Sequence, residues 1–169
     1  TARANLFSAI QNSQKHEAEG ILLTSWGDCG NHQPWATLYP PLFLGAQLAW
    51  SGQNATDTEI GDFIDHTIFD APCSGLGKSF IELAKLDQHT GFKLPNNSLP
   101  WFALFSAQPE KLSDHLSEQV TVQGLERGLD WIKEIEIINF AFENNLSADS
   151  ANQEWKLGIE LSKLGLKHA

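Results

Sequence analysis

One short apolar run near the start of the chain does not alternate with polar residues. Ile21, Leu22 and Leu23 form this run, and the sequence turns polar after Trp26. Consecutive apolar residues predict a strand, at about residues 20–25, that is buried on both faces. Because such strands belong mainly to parallel sheets covered by helices, the pattern indicates an α/β environment.

The other apolar positions recur at helical spacing. Thr56 and Glu59 have the spacing of a capping box, and Pro40 and Pro41 suit the first turn of a helix. The helix that begins there has apolar residues all round, which predicts burial on most of its sides. We predict helices at about residues 2–18, 40–50, 57–68, 75–89, 109–118, 120–145 and 148–167.

A polar loop, at residues 26–41, follows the predicted strand. In parallel α/β folds, active sites form just past the carboxyl ends of strands. An indole ring suits the apolar face of a sugar, and a carboxylate accepts hydrogen bonds from sugar hydroxyls. The loop is therefore predicted to bind carbohydrate. The candidate substrate-binding residues are Trp26, Asp28, Asn31, His32 and Trp35.

These residues also have structural interpretations, which the pattern leaves open. Trp26 suits a core tryptophan at the end of a strand, and Asp28 suits an Asx turn. His32 fits a binding role and a structural role equally. Trp35 suits either the rim of a pocket or a packing position beneath the loop.

The segment Gly20–Pro34, GILLTSWGDCGNHQP, resembles the last barrel strand and the following loop of bacterial β-N-acetylhexosaminidases, glycoside hydrolase family 20. Those enzymes often carry a Trp-Gly-Asp-x-Gly pattern there. Tyr39–Trp50 is similar to the helix that closes the barrel, and Arg3–Ile10 resembles the preceding barrel helix. Many relatives have a glutamate where this chain has His32.

The resemblance implies hydrolysis of terminal β-linked N-acetylhexosamine by substrate-assisted catalysis. In that family, a consecutive Asp and Glu on a middle barrel strand orient the acetamide and protonate the leaving oxygen. This chain contains no Asp-Glu dipeptide. The resemblance therefore implies that the catalytic pair lies N-terminal to Thr1, that Trp26 and Asp28 bind substrate, and that the isolated chain is inactive.

These observations predict a mainly α protein in two parts. Residues 1–70 would form the last helix-strand-helix portion of a (β/α)8 barrel, and residues 71–169 an antiparallel α-helical domain. A single buried strand cannot satisfy its backbone hydrogen bonds without neighbours. Since the chain also lacks methionine, we expect it to be the C-terminal portion of a larger enzyme, with the N-terminal remainder of the barrel as its partner.

Two other hypotheses remain open at this point. The second hypothesis is that the chain is a free-standing helical interaction module whose Trp-Gly-Asp loop is structural. The third hypothesis is a hydrolase-like barrel with altered chemistry, suggested by His32.

Charge, hydropathy and cysteine spacing bear on nucleic-acid binding, membrane insertion and metal binding. The net charge of −10 disfavours nucleic acid as a partner, and no apolar run approaches the ~18 residues of a membrane span. Cys29 and Cys73 have no partners at metal-ligand spacing, so we expect no metal. We also expect no cofactor. Whether the two cysteines pair, and whether the protein is cytoplasmic or secreted, is not decided by the sequence.

Overall fold

The computed structural model describes residues 2–26, 34–92, 98–106, 120–143 and 150–169, and this part of the chain is mainly α-helical. A 3₁₀-helix at Trp35–Leu38 precedes the α-helix at Tyr39–Ser51, and a π-helical turn at Phe102–Ser106 follows the α-helical turn at Leu99–Trp101. The mainly α prediction is confirmed. The helices are α1 (Ala2–Lys15), α2 (Tyr39–Ser51), α3 (Asp57–Thr67), α4 (Leu76–Leu83), α5 (Leu86–Thr90), α6 (Leu99–Trp101), α7 (Val122–Glu143) and α8 (Ser150–His168).

The predicted capping box sets the start of α3. The Glu59 N–H donates to Thr56 Oγ1 at 3.2 Å, and the Thr56 N–H donates to Glu59 Oε2 at 2.7 Å. Two backbone donors that a helix start leaves unpaired are thereby satisfied. The backbone and hydroxyl hydrogen bonds from Thr56 also lower the pKa of the Glu59 carboxyl.

Two predictions about the helices are wrong. The single helix expected at 75–89 is two helices, α4 and α5, because the chain turns at Lys85, whose N–H donates to Glu82 O. The expected burial of α2 on most sides is also wrong, since Trp50 is 94% exposed. Only the face of α2 that carries Leu44 and Leu48 is covered, by α1 and α3. The helix predicted at 109–118 lies outside the described residues.

Residues 20–26 have no regular secondary structure, and no strand is found among the described residues. Leu23 packs against Gly45 of α2, and Ile21 packs against the apolar cluster of α1 to α3. Leu22 points away and is 89% exposed. The expected burial on both faces is therefore wrong for the described chain, because helices cover only one side of the segment.

Two hydrophobic clusters hold the helices together. They meet at Tyr39 and Phe69, whose rings lie edge to face with centroids 6.0 Å apart and which contact both clusters. Helices on both sides of the predicted division at residue 70 therefore contact one another, and the division itself stays a prediction. The first cluster comprises Leu6, Ile10, Leu44, Leu48, Ala55, Ile60, Ile64 and Ile81. The second comprises Ala36, Leu76, Phe80, Leu86, Phe92, Leu99, Ala103, Ile132, Ile135, Trp155, Ile159 and Leu166.

Helices α3 and α4 approach closely because glycines lie at their crossing. A Cβ on Gly77 would lie 2.5 Å from the Gly61 carbonyl oxygen, and a Cβ on Gly61 would lie 2.9 Å from the Lys78 nitrogen. A side chain at either position would clash with the backbone of the facing helix. The crossing distance is therefore set by the absence of these side chains.

A buried carboxylate from α3 caps the N-terminus of α4. Gly75, the N-cap residue, has a φ of 73° and no side chain to act as an acceptor. Asp65 supplies the acceptor, since its carboxylate receives the N–H of Gly75 at 2.7 Å and that of Gly77 at 2.6 Å. Burial raises the pKa of the Asp65 carboxyl, against the opposing effect of these donors and the Ser74 hydroxyl. Negative charge at a helix N-terminus is favourable.

We expect Gly77→Ala to destabilise the protein by about 1–3 kcal/mol, because the added methyl group overpacks the crossing. Gly158→Ala on α8 is the matched control. Its Cβ would meet Pro34 Cγ at 3.4 Å and Leu83 Cδ2 at 3.7 Å, which are ordinary contacts. Alanine exceeds glycine in helix propensity by about 1 kcal/mol, so this variant should be at least as stable as wild type. Urea unfolding measures both, and equal effects would contradict the prediction.

We expect Asp65→Ala to leave the Gly77 amide buried without its acceptor. An unsatisfied buried donor costs about 1–3 kcal/mol, and thermal unfolding should detect this loss. Asp62→Ala is the control, because Asp62 lies on the same helix but is exposed, and such changes usually stay within about 0.5 kcal/mol. Similar melting temperatures for the two variants would show that Asp65 does not stabilise the junction.

Candidate functional site

The structure describes two of the five predicted substrate-binding residues. Trp26 and Trp35 belong to the predicted loop at 26–41, whose end is wrong because the chain is helical from Trp35 onward. Asp28, Asn31 and His32 lie outside the described residues. The contacts of these three residues therefore stay predictions. The positions of the two tryptophans show how the ends of the loop are built.

Trp26 is the last described residue of the segment at 20–26, and it is 77% exposed. Its Nε1–H donates to Thr24 Oγ1 at 3.0 Å, which ties the edge of the indole to its own segment. Trp26 belongs to neither hydrophobic cluster. An exposed indole whose polar edge is already bonded offers its apolar face for stacking, which is the contact that a sugar ring requires.

Trp35 begins the 3₁₀-helix at the downstream end of the loop, and its side chain is 65% exposed. The backbone on either side of it is held by α8. The Ala36 N–H donates to Glu154 Oε2 at 3.1 Å, and the buried Pro34 contacts α8 at Gly158. A second exposed aromatic side chain is thus presented from a fixed backbone.

A small cavity of about 130 Å³ lies next to this 3₁₀-helix. A water molecule has a share of about 30 Å³ in the liquid, whereas pockets for drug-sized ligands measure about 300–1,000 Å³. The cavity therefore has room for water-sized molecules and is smaller than the pockets that hold drug-sized ligands. Its lining residues are Ala36, Tyr39, Ile68, Phe69, Ser150, Ala151 and Glu154.

Sequence reasoning missed Glu154, which reaches the loop exit from 118 positions away. The acidic residues in that part of the chain resemble an ordinary solvated helix face, and no local motif marks this one. Only knowledge of long-range contacts would have identified it.

Other candidate chemistry is limited within the described ranges. There, no group of three or more His, Cys, Asp or Glu residues is arranged to hold a metal ion. None of the helices in this part of the chain has the length and apolar character to cross a membrane. The Cys73 thiol is free and exposed, and Cys29 lies outside the described residues.

No protein-family model, curated protein or solved structure matches the chain.

Proposed function

We propose that the chain is part of a glycoside hydrolase of the family 20 type, to which it contributes residues that bind a terminal β-linked N-acetylhexosamine. One-sided packing of residues 20–26 supports this proposal best. Ile21 and Leu23 contact the helices, with Leu23 still 37% exposed, whereas Leu22 is 89% exposed. A barrel strand also has helices on its outer face and sheet neighbours at its edges.

The backbone of this segment has no strand partner among the described residues. No backbone hydrogen bond joins residues 21–25 to another described residue, and unpaired backbone N–H and C=O groups of this kind can pair with a further strand. Neighbouring strands from the remainder of a barrel would supply these bonds and would cover Leu22. The Trp-Gly-Asp sequence would then follow at the carboxyl end of a sheet, where barrel enzymes bind substrate.

Within this proposal, the residues have distinct roles. Trp26 stacks on the sugar ring, and Asp28 accepts hydrogen bonds from hydroxyl groups. The remaining pocket residues are Asn31, His32 and Trp35. The acid and the acetamide-orienting aspartate come from the remainder of the barrel, since this chain has no Asp-Glu dipeptide.

The exposed side of α2 supports a further polypeptide as partner. Leu42 is exposed there, and Trp50 is 94% exposed. Exposed apolar patches often mark protein interaction surfaces. The same surface would also serve a free-standing interaction module with a structural loop, so the two experiments below separate these functions.

In the complete hydrolase that we propose, Trp26→Ala should lower kcat/KM without unfolding the protein. Loss of a stacking face worth ~1.5–3 kcal/mol corresponds to roughly a ten- to hundredfold decrease. Kinetics with a chromogenic N-acetylglucosaminide, together with melting temperatures, measure the effect. Ile137→Ala is the control, because it removes a highly exposed apolar side chain of α7, outside both the loop and the exposed side of α2.

Asp28→Asn is to be measured in the same kinetic and melting experiments, because it keeps the shape of the side chain and removes its charge. If Asp28 accepts sugar hydroxyls, kcat/KM should fall at an unchanged melting temperature. Asn tolerates an Asx turn, so a purely structural Asp28 would leave the kinetics unchanged. Wild-type kinetics for both loop variants would contradict a role of the loop in binding.

The chain by itself should not hydrolyse the chromogenic substrate, because the proposed acid and acetamide-orienting carboxylates are absent from it. The complete hydrolase, assayed in parallel, should turn the substrate over. Turnover by the chain alone above a buffer blank would contradict the proposed location of the catalytic pair. A complete protein that binds no N-acetylhexosamine would instead favour the interaction module.

A further inference from the structure

One face of α8 contacts the exit of the loop at two points. Glu154 Oε2 accepts the Ala36 N–H at 3.1 Å. One turn further along, the space above Gly158 is occupied by Pro34, whose Cγ would lie 3.4 Å from a Cβ at that glycine. Residues four apart lie on the same face of a helix, so both contacts come from a single surface of α8.

The hydrogen bond from the Ala36 N–H to Glu154 supplies a cap that no neighbouring side chain provides. The first N–H groups of a helix have no partners within it and are usually satisfied by a capping side chain. Pro34 precedes this 3₁₀-helix and provides no side-chain hydrogen bond. The Glu154 carboxylate therefore caps the helix from a distance, through a charge-assisted bond of the stronger kind.

This cap fixes the backbone next to a predicted binding residue. Trp35 lies between the two contact points, Pro34 and Ala36, and its side chain is 65% exposed. The orientation of its indole depends on the φ and ψ angles of this short stretch. Loss of the cap would remove one restraint on this backbone and leave two others, the packing of Ala36 in the second cluster and the contact of Pro34 with Gly158. Glu154 itself is not a member of either cluster.

We propose that Glu154 is a positioning residue for the sugar-binding loop, acting through the Ala36 amide to hold the backbone that carries Trp35. The substrate class in this statement rests on the proposed function. The C-terminal helix thereby contributes to substrate binding without touching the sugar.

Three variants isolate this role. Glu154→Ala removes the acceptor, and Glu154→Gln keeps an oxygen acceptor at the same reach. Gln153→Ala is the matched control, because Gln153 is exposed on the same turn of α8. Hydrogen exchange at the Ala36 amide, measured in the chain itself, reports directly on the cap.

Exchange at Ala36 should accelerate by about tenfold or more in Glu154→Ala, since an open amide is no longer protected by its bond. It should stay near the wild-type rate in Glu154→Gln and Gln153→Ala. In the complete hydrolase, Glu154→Ala should raise KM by about tenfold with kcat little changed, which is the signature of lost binding. Glu154→Gln should restore most of the wild-type KM.

Contrary outcomes are distinguishable. Unchanged exchange at Ala36 in Glu154→Ala would overturn the cap itself. Faster exchange with an unchanged KM, or a fall in kcat and melting temperature that Glu154→Gln does not rescue, would make Glu154 merely structural and overturn the positioning role. If the wild-type hydrolase does not turn over the substrate, the proposed function and the substrate class in this inference are overturned. The hydrogen-exchange rates would still show whether Glu154 caps the 3₁₀-helix.

Discussion

The junction between α3 and α4 is the interaction on which the packing of this chain depends. Asp65 caps α4 from α3, and the glycines at the crossing let the two backbones approach. Because α4 is thereby fixed against α3, its consecutive residues Phe80 and Ile81 can serve different clusters: Phe80 belongs to the second and Ile81 to the first. One helix thus ties the two apolar clusters into a continuous interior.

Features of the fold that depend on residues close together in the sequence were predictable, and features that depend on distant residues were not. The cap of α3 was predictable because Thr56 and Glu59 are three residues apart and bond to each other's backbone. The cap of α4 was not, since its acceptor Asp65 lies 12 residues from Gly77. The turn at Lys85 also has no glycine or proline to mark it, which explains why α4 and α5 were predicted as one helix.

Burial was harder to predict than helix formation. An apolar sequence specifies that a surface needs covering, but it does not specify which polypeptide covers it. Leu22 and Trp50 illustrate this point, because both belong to segments predicted to be buried and both are exposed in the described chain. At the candidate site, the sequence singled out Trp26 and Trp35 but left open whether each is exposed or packed, and the structure shows both exposed. The support beneath Trp35 was not, because it comes from a distant helix.

The bond between Glu154 and Ala36 also sets an order of events during synthesis. The two residues are 118 positions apart in the chain. Ribosomes add about 5–20 residues per second, so the acceptor follows its donor by roughly 6–24 s. During that interval, Pro34 and Ala36 have no α8 to pack against. The nascent segment around Trp35 is therefore accessible to proteases and chaperones until α8 has been made.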